Sequence, residues 1–125
     1  MLVVDDEKDA LELLALVLKK AGATVRSATS ADAALREIMT FTPDVIISDI
    51  GIPEKDGISL IRSIRALDDP QKRRIPAIAL SAYTRAEDRI QSIAAGFHIH
   101  LSKPADPLEL LTVIASIARR ESAPS

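Results

Sequence analysis

Cysteine is absent from the 125-residue chain, which excludes disulfides, thiol nucleophiles and Cys-ligated zinc or iron–sulfur sites. Tryptophan is absent too, and the aromatics are only Phe41, Tyr83 and Phe97, too few for a base-stacking surface. An excess of one charge sign is also lacking. The 16 Lys plus Arg face 18 Asp plus Glu, and a net charge of −2 supplies no basic field for nucleic acid. No apolar run approaches the roughly 20 residues that span a bilayer, and Met1 leads straight into Leu2-Val3-Val4 without a basic leader. The expectation is a small soluble cytoplasmic domain with no nucleic-acid or membrane contact. Against these absences stands an apolar content of 47%, enough for a core in a chain of single-domain length.

The hydrophobic period alternates between short β-type runs and helical stripes. Leu2-Val3-Val4 reads as a first strand. Leu11, Leu14 and Leu18 then recur at helical spacing over residues 8–21, with Gly22 as the stop. Thr24 to Ala28 reads as a second strand, and Ser30 caps a helix over residues 31–40 with Leu35 and Ile38 inward. The β-branched run Val45-Ile46-Ile47 suits a strand buried on both faces. A third helix follows from Ile58 to Leu67, and a fourth strand from Ile75 to Leu80 with Pro76 at its start. Thr84 and Glu87 form a capping box for a fourth helix ending near Gly96. Phe97 to Leu101 is a fifth strand, and Asp106-Pro107 opens a fifth helix that runs to about Arg119. Residues 1–120 thus read as one domain, with 121–125 as a polar tail. Five βα units with short links imply a parallel sheet covered by helices on both faces, with ligand sites at the carboxyl ends of its strands.

The residues that close those runs carry the chemistry. Asp5, Asp6 and Glu7 follow the first strand, Asp49 the third, Ser81 the fourth and Lys103 the fifth. Singly, each is what a turn or cap residue looks like. Together on one rim, clustered carboxylates repel one another unless a cation sits among them, and hard oxygen ligands favour Mg²⁺. A carboxylate beside such an ion, with a lysine and a hydroxyl aimed at the same point, is equipped to attack phosphorus.

Val3-Val4-Asp5-Asp6-Glu7, Asp49 followed by Ile52-Pro53 and Asp56-Gly57, Leu80-Ser81-Ala82 and Lys103-Pro104 together resemble the receiver domain of two-component response regulators. The resemblance covers essentially the whole chain. It implies a flavodoxin-like (βα)5 doubly wound fold with strand order 2-1-3-4-5. It implies that Asp49 accepts a phosphoryl group from a histidine kinase or histidine phosphotransfer partner, becoming 4-aspartylphosphate. Asp6 would bind Mg²⁺ directly, Asp5 through water, and Gly51 through its carbonyl. Ser81 would hydrogen-bond the phosphoryl group and Lys103 would pair with it, while Pro104 would follow a cis peptide. Gly57 would permit a backbone turn. Catalysis would stop at self-phosphorylation and autodephosphorylation, without turnover of an external substrate.

Two departures stand out. The family usually has Tyr or Phe as a switch aromatic three residues before the lysine, and here His100 occupies that place, which weakens the coupling to Ser81. The first strand also starts almost at Met1, which points to a longer native protein with Met1 as an excision point or added initiator. The stretches Ser48-Asp-Ile-Gly-Ile-Pro and Gly96 to Pro104 look most like receivers of hybrid sensor histidine kinases.

His98 and His100 fall on one strand face by period two and read as a surface pair rather than metal ligands. By the resemblance Tyr83 would gate water access to the acyl phosphate, whereas by itself it reads as a helix-start aromatic packing on its neighbours; Lys72-Arg73-Arg74 reads as a solvated turn. In the last helix Leu108, Leu111, Ala115 and Ala118 form one stripe and Leu110, Ile114 and Ile117 another. One covers the sheet; the other suits either a partner or a homodimer formed through the fourth helix, fifth strand and fifth helix, or a broad stripe tucked under the first helix. Two other readings are a phosphorylation-independent interaction module and a Mg²⁺ phosphatase of the haloacid-dehalogenase kind. The phosphatase needs a second Asp two positions after the first, where Gly51 stands.

Overall fold

The computed structural model describes residues 1–50, 57–82, 86–103 and 106–122. Its elements run β1 (Leu2–Val4), α1 (Lys8–Lys20), β2 (Arg26–Ala28), α2 (Ala31–Thr40), β3 (Ile46–Asp49), α3 (Gly57–Arg65), α4 (Pro70–Arg73), β4 (Ala77–Ser81), α5 (Ala86–Ala95), β5 (Ile99–Ser102) and α6 (Pro107–Ser122). The strands form one sheet in the order β2-β1-β3-β4-β5, and each neighbouring pair is parallel. This is the flavodoxin-like arrangement, with its reversal of strand order between β1 and β3.

Side-chain alternation divides the core. Leu2, Val4, Ile46, Ala77 and Ala79 meet Ala34 and Ile38 of α2 and Leu60, Ile61 and Ile64 of α3. Val3, Ile47, Ile78 and Leu80 meet Leu11 and Leu18 of α1 and Leu110, Ile114 and Ile117 of α6. Burial on both faces explains the continuous apolar runs of the central strands. Leu35, expected inward, is only partly buried, as are Leu14 and Leu67.

Local signals act where the sequence placed them. Ser30 Oγ accepts the Ala33 amide at 3.1 Å. α1 and α5 both close on a left-handed glycine, Gly22 at φ 97° and Gly96 at φ 132°. The six-residue bonds Ala23 N–H to Leu18 O and Phe97 N–H to Ser92 O complete each stop.

Several boundaries differ from expectation. α4 is a helical turn where a solvated loop was expected, so the predicted fourth and fifth helices are α5 and α6. Asp69 accepts the Gln71 amide at 2.9 Å and Pro70 takes the first position, the same signature that starts α6. β2 is shorter, because the bonds closing α1 reach as far as Ala23. β5 begins at Ile99 because Phe97 still belongs to the stop of α5. α6 continues to Ser122, past the expected end near Arg119. The Thr84 cap lies outside the described residues. Among the described residues, no helix is long and apolar enough to cross a membrane.

Candidate functional site

Parallel pairing brings distant residues to one rim. β1 and β4 flank β3, with Val4 beside Ser48 and Asp49 beside Leu80, so the residues that follow β1 and end β3 come together at the carboxyl edge. On β5, Ser102 pairs with Ser81, and the Lys103 amide donates to the Ser81 carbonyl at 2.8 Å, which sets Lys103 above the same edge.

The side chains converge. Lys103 Nζ donates to Asp49 Oδ2 at 2.9 Å and to Asp5 Oδ2 at 3.0 Å. Asp5 is buried, and its other oxygen accepts the Glu7 amide at 3.0 Å, which fixes the carboxylate at the start of α1. Asp6 is exposed, with both neighbours on the rim. One carboxylate oxygen from each of Asp5, Asp6 and Asp49 lies within 4.8 Å of the others. Three hard, anionic donors at this spacing fit a divalent cation of the Mg²⁺ class. Burial lowers the Lys103 pKa, but hydrogen bonds and charge from Asp49 and Asp5 outweigh it, and the net displacement is upward. Lys103 is therefore a cation held between two carboxylates at neutral pH.

Ser81 is buried at the end of β4. Gly51, Tyr83 and Pro104 lie outside the described residues, as do Ile52, Pro53 and Asp56. Two readings need correction. His98 and His100 are not a surface pair: His100 is 9% exposed on β5 beside Ala79, while His98 precedes the strand. His98 Nδ1 accepts the Ala77 amide at 3.1 Å, so strand alternation does not govern its ring. Gly57 is not a turn glycine either, since its φ lies outside the left-handed region.

Arg65 was missed. Its guanidinium donates to the Gly96, Arg73 and Ile75 carbonyls at 2.6–3.0 Å, joining α3 to the entries of β4 and β5 at the edge opposite the acidic rim. An arginine in the last turn of a helix resembles an ordinary dipole partner, so the sequence held no distinguishing signal.

Comparison with known proteins agrees with this geometry. A family model described as the response regulator receiver domain matches residues 1–115. A 14.6 kDa protein of Leptolyngbya boryana is 43% identical over 91% of this chain and 86% of its own length. The KDP operon transcriptional regulatory protein KdpE of Escherichia coli is 37% identical over 98% of this chain, which spans only 52% of that protein. A hybrid signal transduction histidine kinase of Dictyostelium discoideum is 32% identical over 96% of this chain and 8% of its own. The receiver domain of a Francisella response regulator superposes with a TM-score of 0.88 at 30% identity, covering 97% of each chain.

Proposed function

The chain belongs to the response regulator receiver domains of two-component systems, and from that premise we propose that Asp49 accepts a phosphoryl group from a phosphohistidine in a Mg²⁺-dependent reaction. Receiver domains partner with histidine kinases or phosphotransfer domains, so the donor is a protein of that kind. The observation that carries the reading is the shared Lys103 ammonium, 2.9 Å from Asp49 and 3.0 Å from Asp5, beside an exposed Asp6.

Asp5, Asp6, Asp49 and the Gly51 carbonyl would hold the Mg²⁺, whose chemistry is to neutralise charge on the transferring phosphoryl oxygens. An Asp49 carboxylate oxygen attacks phosphorus; the P–N bond of the phosphohistidine breaks, and the imidazole leaves with that electron pair and takes up a proton. Lys103 exchanges its bond to Asp49 for one to the new phosphoryl group, and Ser81 donates its hydroxyl to the same group. The buried Asp5 keeps the ammonium over the rim during the exchange. The working unit runs from β1 into α6, supported by the matched span of 1–115; since α6 continues to Ser122, residues 121 and 122 belong to that helix and not to a tail.

The added charge of about −1.5 to −2 biases a pre-existing equilibrium between two surfaces. His100, buried beside Ala79 at the switch position, belongs to that change. On α5, Ile90 and Ile93 are 67% and 43% exposed, and Leu108 of α6 is 72% exposed, which supports a homodimer through the α5–β5–α6 face. Sedimentation with a beryllofluoride phosphoryl mimic should show dimers for the wild type and monomers for Ile90→Asp; monomers for both would remove the dimer.

Phosphoramidate with Mg²⁺ tests the acceptor. The wild type should gain one hydroxylamine-labile phosphoryl group and Asp49→Asn none. Equal labelling of both would refute the assignment.

A further inference from the structure

Gly57 opens α3 directly against the end of β3, where its amide donates to the Ile50 carbonyl at 3.2 Å. A Cβ at this position would stand 2.6 Å from Ile50 Cα, 2.7 Å from the Asp49 carbonyl oxygen and 3.1 Å from Ile50 Cγ2. The first two are backbone atoms of the segment that carries Asp49, so no rotamer change relieves them. Ordinary carbon contact at about 3.5 Å would need the two backbones to part by roughly 0.9 Å.

Neither side has room to yield independently. β3 is hydrogen-bonded to β1 and β4, the Ile50 amide donates to Leu80 O at 3.0 Å, and Ser48 Oγ donates to the Asp49 carbonyl at 3.0 Å. α3 is anchored by Leu60, Ile61 and Ile64, each at most 1% exposed. Two rigid bodies therefore meet with only a glycine hydrogen as spacer. A substituent bears directly on the Asp49–Ile50 peptide, and whatever share of the strain α3 does not take up moves the carboxylate that Lys103 and Asp5 register.

We infer that Gly57 is a positioning residue: the missing side chain sets the gap between α3 and the end of β3, and so the place of the Asp49 carboxylate relative to Lys103 and Asp5. This rests on the reading of Asp49 as phosphoacceptor. It explains the glycine by close approach, not by backbone freedom.

The test compares the full chain as wild type, Gly57→Ala, Gly22→Ala and Asp49→Asn. The readouts are the saturating phosphoramidate rate, Mg²⁺ affinity by calorimetry and stability by urea. Gly22 is the control: its φ of 97° strains any replacement, yet nothing lies within 4 Å of an added Cβ. A displacement approaching 1 Å should slow Gly57→Ala on the order of 100-fold and weaken its Mg²⁺ binding. Gly22→Ala should lose stability and keep the wild-type rate. Should Gly57→Ala fold poorly, trimethylamine N-oxide restores compact states, and the deficit must persist in it. A wild-type rate and Mg²⁺ affinity in folded Gly57→Ala, with Asp49→Asn unlabelled, would overturn the inference alone. Labelling of Asp49→Asn would overturn the acceptor reading instead.

Discussion

Lys103 is 54 residues from Asp49 and 98 from Asp5, yet its ammonium donates to both. Its side chain is 24% exposed, against 14% for Asp49 and 6% for Asp5. Removing the cation would leave two neighbouring carboxylates, largely out of bulk water, without their shared counter-charge, a costly arrangement. Because the folded-state pKa of Lys103 is raised, its stabilisation is complete below the ordinary value of 10.5 and is lost as pH rises through the higher folded value. Urea denaturation of the wild type and Lys103→Met should therefore give a constant stability gap from neutral pH up to that ordinary value, narrowing only above it. A gap that already closes at neutral pH would contradict the ion-pair geometry. The strand-end chemistry of these residues was legible because each closes an apolar run. That Asp5 is buried against Lys103 while Asp6 is exposed was not, since two adjacent aspartates carry the same local signal; their separate roles toward Mg²⁺ came only as what the family resemblance implies. Gly57 was legible as special, but its close approach to the backbone of Asp49 and Ile50 has no local signature.

At the level of elements, β-branched runs located the central strands because burial on both faces demands them. Edges were harder to read. β5 starts late because the glycine stop of α5 consumes Phe97, and α4 was overlooked although Asp69-Pro70 repeats the Asp106-Pro107 signature. Charge in Lys72-Arg73-Arg74 masked the capping signal. Arg65 then ties these pieces together through three carbonyls from two turns. A planar fork reaches them simultaneously, whereas a lysine ammonium does not. Arg65→Lys should thus destabilise by about 2 kcal/mol, nearly as much as Arg65→Met, since part-buried carbonyls lose their donors in both. Equilibrium urea unfolding measures this, and wild-type stability in Arg65→Lys would show the fork to be dispensable.

Across the whole molecule, the two ends of the sheet do different work. The amino edge is closed by the Arg65 corner, and the carboxyl edge collects three carboxylates and one ammonium. The βα alternation sufficed for a parallel sheet with a site at that edge. The strand order and the residue roles came with the family resemblance, because periodicity carries no information on which strands pair. The chain spans only about half of KdpE. The central claim is that distant acidic residues build one Mg²⁺-dependent phosphoryl acceptor. Its most direct test is mass-spectrometric location of the phosphoryl group after phosphoramidate treatment, with Mg²⁺ and with a chelator. The account predicts a single phosphoryl group on the Asp49 peptide that disappears under chelation; modification at another residue, or labelling of Asp49 indifferent to chelation, would contradict it.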